Sequence, residues 1–98
     1  MPLNSFIAMK NRPGAGDLRL DLNLLLIFDT IFSERNISRA AQRLEMAQPT
    51  VSHALNRLRR ITGDQLFVRT STGMEPTPHA ERIAQPLRQA LAGLRSTL

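Results

Sequence analysis

Apolar residues recur at three- and four-residue intervals in four separate runs after residue 20, and these predict four helices with a small hairpin between the third and fourth. The first run, Leu22, Leu25, Leu26, Phe28, Ile31 and Phe32, makes a helix from about Leu22 to Ser33 that is apolar over much of its circumference, with Asp21 ahead of it as a cap. A stripe at helical spacing is read as core, not as a cofactor pocket. In the second run Ile37, Ala40, Ala41 and Leu44 share one face, while Arg39 and Arg43 sit one turn apart on another. The third buries Val51, Leu55 and Leu58. It is expected to start at about Gln48, because Pro49 has no N–H to lose in a first helical turn and its fixed φ suits a helix start. The small Ala40 and Ala41 allow these two helices to cross closely over a three-residue break.

Gly63, in Thr62-Gly63-Asp64, suits the left-handed geometry that ends a helix. Leu66 to Arg69 then reads as a strand, Thr70 to Gly73 as a loop tip and Met74 to Thr77 as the returning strand, together a small β-wing. Thr77 and Pro78 form a cap and a first-turn proline for the last helix, which runs to about Thr97 with a bend expected between Arg82 and Pro86. Ahead of everything, Met1 to Arg19 carries Pro2, Pro13, Gly14 and Gly16 and reads as a flexible extension without an assigned function; a short helical turn at Ser5 to Lys10 is the alternative. The expected fold is mainly α: a winged helix-turn-helix over residues 20–77, followed by a long helix over 78–98.

The predicted helix pair has the spacing of a DNA-reading motif. Outside the buried stripe of its second member lie Gln48, Thr50, Ser52, His53, Asn56, Arg57 and Arg60, with no acidic residue among them. The N-terminus of that helix offers N–H groups and a positive dipole end, and a recognition helix reads base edges near that end. Gln48, Pro49, Thr50, Ser52, His53, Asn56 and Arg57 are therefore the candidate base contacts. Arg39, Arg43, Arg60, Arg69, Thr70, Ser71 and Thr72 are the candidate backbone contacts. For Arg69 a second role stands beside the first, that of tying the wing to the body.

Charge distribution sharpens this picture. The 98-residue chain carries 13 Lys+Arg against 8 Asp+Glu, a net +5, with 42% hydrophobic residues, enough for one small domain with a modest core. From Arg35 to Arg69 there are seven arginines and two acids, so the basic charge is focused on the motif. The absence of cysteine excludes disulfides, thiol chemistry and cysteine-based zinc sites. His53 and His79 are isolated from each other and from acidic pairs, so neither a metal nor a cofactor is expected. With no glycine-rich phosphate loop and no His–carboxylate pair, the chain does not read as an enzyme. No apolar run approaches the roughly 20 residues that span a bilayer, and the start of the chain lacks the usual form of a secretory signal, so a bacterial cytoplasmic protein is expected.

Four motifs in order carry a family resemblance: A-A-Q-R-L at Ala40 to Leu44, Q-P-T-V-S at Gln48 to Ser52, L-F-V-R at Leu66 to Arg69, and E-P-T-P at Glu75 to Pro78. Together they resemble the N-terminal winged helix-turn-helix of LysR-type transcriptional regulators, over Leu20 to Leu98. The opening D-L-N-L-L and the run L-F-V-R-T-x-x-G-M-E-P-T are most similar to the branch of nodulation, LeuO-like and aromatic-degradation regulators. Two positions depart from the family pattern. Thr72 stands where many members carry a second basic residue in the wing, and P-T-P-H-A replaces the more usual L-T-x-x-G.

The resemblance implies sequence-specific binding of double-stranded DNA, and it implies that the last helix pairs with that of a second subunit. Ile83, Leu87, Ala90, Leu91, Leu94 and Leu98 are the candidate seam of this homodimer, and a core helix folded on its own domain is the other reading. An inverted-repeat site would follow from the twofold symmetry. Family members continue into a two-lobed effector-binding domain that this chain lacks, so a small-molecule effector is expected to act only through that missing part. The rival function is a helical protein-interaction module using the leucine stripe, without specific DNA readout.

Overall fold

The computed structural model describes residues 22–98. Its elements are α1 (Leu22–Glu34), α2 (Ile37–Leu44), α3 (Gln48–Thr62), β1 (Phe67–Thr70), β2 (Gly73–Pro76) and α4 (Pro78–Thr97). The cap expected at Asp21 and the extension expected over 1–19 lie outside the described residues. The predicted winged helix-turn-helix followed by a long helix is the observed architecture, with shifts of one residue in the wing. Thr70 closes β1 and Gly73 opens β2, so the turn is confined to Ser71 and Thr72.

α1 is the central element. It buries Leu24, Ile27, Phe28 and Ile31, whereas Leu22 is exposed and Leu25 and Leu26 are half-buried. The buried face is thus turned slightly from the predicted stripe, because α1 carries leucines on both faces. Against α1 lie Ile37, Ala40 and Ala41 of α2 and Val51, Ala54, Leu55 and Leu58 of α3. Ala40 and Val51 are wholly buried, as expected where two helices meet with little bulk between them.

Local hydrogen bonds explain the helix boundaries. Asn36 caps α2, its Oδ1 accepting from the Arg39 N–H at 2.8 Å, and Glu45 ends it in a left-handed conformation. Gly63 closes α3 at φ 71°, as its position in the sequence suggested. Thr77 caps α4, its Oγ1 accepting from the Ala80 N–H at 3.1 Å. α4 is one continuous helix through Pro86.

The wing is an antiparallel pair in which Val68 faces Glu75 and Arg69 faces Met74. Its base is anchored by Phe67, wholly buried and 5.3 Å from the Phe28 ring, centroid to centroid. Leu66, just before β1, is equally buried but has φ 66°, a conformation that a bulky side chain adopts only when its neighbours hold it. Asp64 and Thr77 supply that hold. The Leu66 N–H donates to Asp64 Oδ2 at 2.8 Å, and the Leu66 carbonyl accepts from the Thr77 N–H at 2.9 Å.

α4 divides along its length. Ala80 and Ala84 are buried in the core, Ile83 and Leu87 pack half-buried against it, and Leu91 is buried. Arg88 fastens the helix to α1 through Asp29 Oδ1 at 3.2 Å from both Nε and Nη2. Beyond it Ala90, Leu94 and Leu98 are exposed. The candidate seam is therefore two surfaces. Its first half packs on the body of the same chain, and only Ala90, Leu94 and Leu98 are left outward.

Candidate nucleic-acid interface

α3 projects one continuous polar face. Gln48, Pro49, Thr50, His53, Asn56, Arg57 and Arg60 are all exposed, and Ser52 is half-buried. The structure thus brings together every candidate base contact on the outward side of the helix, opposite Val51, Ala54, Leu55 and Leu58. The order follows from helical geometry, because Pro49, Ser52, His53 and Asn56 stand at positions i, i+3, i+4 and i+7 of one helix face.

The start of α3 is less open to an anion than the sequence suggested. Ala47 occupies the cap position with no side-chain hydrogen bond, Pro49 has no N–H, and the Thr50 N–H bonds to the Ala47 carbonyl at 3.0 Å. Few first-turn donors remain for a phosphate. Gln48 is held in place by Ser38, whose Oγ donates to Gln48 Oε1 at 3.0 Å. Its amide nitrogen is left to face outward.

The candidate phosphate contacts fall into two groups. Arg39, Arg60 and Arg69 are exposed, and their guanidinium groups make no hydrogen bond or ion pair among the described residues. Arg43, in contrast, is paired with Glu34 Oε2 at 3.1 Å. On the wing, Thr70 and Thr72 spend their hydroxyls on one another and on Gly73 and Glu75, while Ser71 at the tip is exposed.

Tying the wing to the body is the second of the two roles that the sequence offers for Arg69. The tie is made by Arg59 instead. Its Nε donates to the Gln65 carbonyl and its Nη2 to the Phe67 carbonyl, each at 2.8 Å, while Nη1 donates to Asn56 Oδ1 at 3.0 Å. One guanidinium so fixes both the strand that starts the wing and a side chain of the polar face. In the sequence Arg59 registers only as charge, since nothing in its spacing shows that it turns toward β1. Between α3 and the wing is an open cleft of about 240 Å³, lined among others by Ser52, Asn56, Arg59 and Arg69.

Arg35 joins the end of α1 to β2. Its Nη1 lies 3.3 Å from Glu75 Oε1, and its guanidinium carbon stands 4.7 Å from the Phe32 ring centroid. Asp64, which accepts hydrogen bonds from Thr77 Oγ1 at 2.6 Å and from the Leu66 N–H, has its carboxyl pKa lowered chiefly by those two bonds. The described residues contain no cluster of metal-ligating side chains and no helix long and apolar enough to cross a membrane.

Known proteins share this architecture and sequence. The chain is 49% identical over 79 residues to the transcriptional activator NahR of Pseudomonas putida, covering 81% of this chain and 26% of that protein. It is 46% identical over 79 residues to the transcriptional regulator LeuO of Escherichia coli, covering 81% of this chain and 25% of that protein, in keeping with the LeuO-like branch. The chain thus spans about a quarter of the length of these relatives. Among solved structures, the BenM DNA-binding domain in complex with catB site 1 DNA superposes with a TM-score of 0.74 at 27% identity, covering 79% of this chain and 86% of that one. The pattern of the bacterial regulatory helix-turn-helix proteins of the lysR family matches residues 22–81, and the chain belongs to that family.

Proposed function

We propose that this chain binds double-stranded DNA sequence-specifically, with α3 in the major groove and the wing over the flanking backbone. The observation that carries this reading is the acid-free exposed face of α3, flanked by Arg39, Arg60 and Arg69, whose side chains are unpaired among the described residues. Such a face suits an anionic partner whose edges accept and donate hydrogen bonds. Likeness to a domain crystallised on DNA supports it.

Gln48, Pro49, Thr50, Ser52, His53, Asn56 and Arg57 are assigned to the base edges; Arg39, Arg43, Arg60, Arg69 and the wing hydroxyls of Thr70, Ser71 and Thr72 to phosphates. A second copy of the chain pairs through the exposed end of α4, so that two recognition helices meet an inverted repeat. Residues 20–77 act as the reading unit and 78–98 as the pairing helix, in the bacterial cytoplasm where the chromosome lies.

Selection of bound duplexes from a random pool, followed by titration of the selected and a scrambled site, tests the reading. Gln48→Ala should cost about 1–3 kcal/mol on the selected site and far less on the scrambled one. Equal losses on both remove Gln48 from base readout. A protein that selects nothing, and whose weak binding does not respond to salt, is an interaction module and not a DNA reader.

A further inference from the structure

Asn56 meets DNA, on the function proposed above, with one of its two polar atoms already engaged. Its Oδ1 accepts from Arg59 Nη1 at 3.0 Å, and Arg59 is itself immobilised by the Gln65 and Phe67 carbonyls at 2.8 Å each. Because a guanidinium has donors only, the amide oxygen must face it and the amide nitrogen must face away. Asn56 is exposed and continues the row begun by Ser52 and His53, so the group turned outward is the NH₂.

An asparagine free to rotate reads adenine with both ends, accepting from N6 and donating to N7. Here the accepting end lies beside a fixed cation, and an incoming N6 or N4 amino group would bring its own positive hydrogens against that cation. A guanine edge has no such conflict. Its adjacent N7 and O6 are both acceptors and suit an outward NH₂.

We propose that Arg59 is a positioning residue that sets the hydrogen-bonding polarity of Asn56, so that the recognition helix selects guanine over adenine at the base pair Asn56 meets. The assignment rests on the DNA-reading function, and it adds to it the chemical class of one operator position. It also gives the two carbonyl bonds of Arg59 a consequence for specificity, because they keep the guanidinium from following the base.

The test is a pair of selections from random duplex pools, one with the wild-type chain and one with Asn56→Ala. The position whose preference the variant loses is the Asn56 base, and it should be guanine in the wild-type selection. Replacing that guanine with 7-deazaguanine should weaken wild-type binding about fivefold or more and leave Asn56→Ala unaffected. Arg59→Met keeps the aliphatic stem and removes the donors; it should move the preference at that one position toward adenine, whereas Arg59→Lys should keep guanine. A purely structural Arg59 would instead lower affinity evenly at every position.

Adenine at the wild-type position, or an unchanged guanine preference in a folded Arg59→Met protein, overturns the proposal. If Arg59→Met does not fold by circular dichroism, the wild-type and Asn56→Ala selections with the 7-deazaguanine duplex decide it alone. A wild-type chain without any sequence preference overturns the DNA-reading function itself, while a preference that Asn56→Ala leaves intact overturns only the role of Asn56.

Discussion

Gly73 lies so close to the backbone of Arg35 that a Cβ there would overlap the Arg35 carbonyl oxygen. The same oxygen accepts from the Met74 N–H at 2.9 Å, so β2 is hydrogen-bonded to the end of α1 as well as to β1. Both residues have positive φ, 56° at Arg35 and 125° at Gly73, and the latter suits glycine alone. Gly73→Ala therefore combines a backbone conformation closed to side chains with a collision against a carbonyl. A loss of about 2 kcal/mol or more is expected in urea unfolding. A variant within about 0.5 kcal/mol of the parent would show that the wing is fastened by other contacts.

That fastening explains what was legible in the sequence and what was not. Local signals carried the helix starts and stops: Pro49, Gly63 and Thr77 each act within one turn of their own position. The outward placement of the polar residues of α3 was equally legible, because once Val51, Leu55 and Leu58 are buried the other side of the helix must face out. Contacts distant in sequence left no such trace. Arg35 to Glu75, Arg59 to Phe67 and Arg88 to Asp29 depend on where the wing and α4 fold back, and neither spacing nor charge count reveals them. The same limit hid the division of α4. Its leucines keep one period throughout, yet the body of the domain reaches along only part of the helix.

Asp64 should make stability acid-sensitive. Its carboxylate accepts from Thr77 Oγ1 and the Leu66 N–H, and these bonds lower its pKa below the ordinary value of 3.8. A folded-state pKa below the unfolded one adds stability that is complete above about pH 4 and is lost as pH falls through the lowered value. Asp64→Asn should lower the melting temperature near pH 7 and flatten its decline below about pH 4. Parallel melting curves for the two proteins across this acid range would show that Asp64 does not couple to folding.

The arginines should differ in salt dependence. Arg39, Arg60 and Arg69 are unpaired among the described residues, so Ala at any one should reduce the slope of log affinity against log salt by roughly 1, on every sequence alike. Arg43 starts from an exposed ion pair with Glu34, and its charge is partly compensated before DNA arrives. Arg43→Ala should therefore change the slope less, and Glu34→Gln should tighten binding at low salt. Equal slopes for Arg39→Ala and Arg43→Ala would mean that the Glu34 pair is given up without consequence.

The split along α4 decides how pairing should be probed. Leu87 packs against the protein's own core, so Leu87→Asp would damage the fold and the dimer together and could not separate them. Leu94 is 44% exposed and lies beyond the Arg88–Asp29 tether, so a carboxylate there leaves the isolated chain intact. In a dimer the same carboxylate would be enclosed against apolar surface, at a cost of several kcal/mol unless it reaches water. Leu94→Asp should thus keep the parent's melting temperature at low concentration, sediment as a monomer, and lose affinity for a full inverted repeat while binding a single half-site as before. A Leu94→Asp protein that still sediments as a dimer would place the pairing surface elsewhere than on the exposed end of α4.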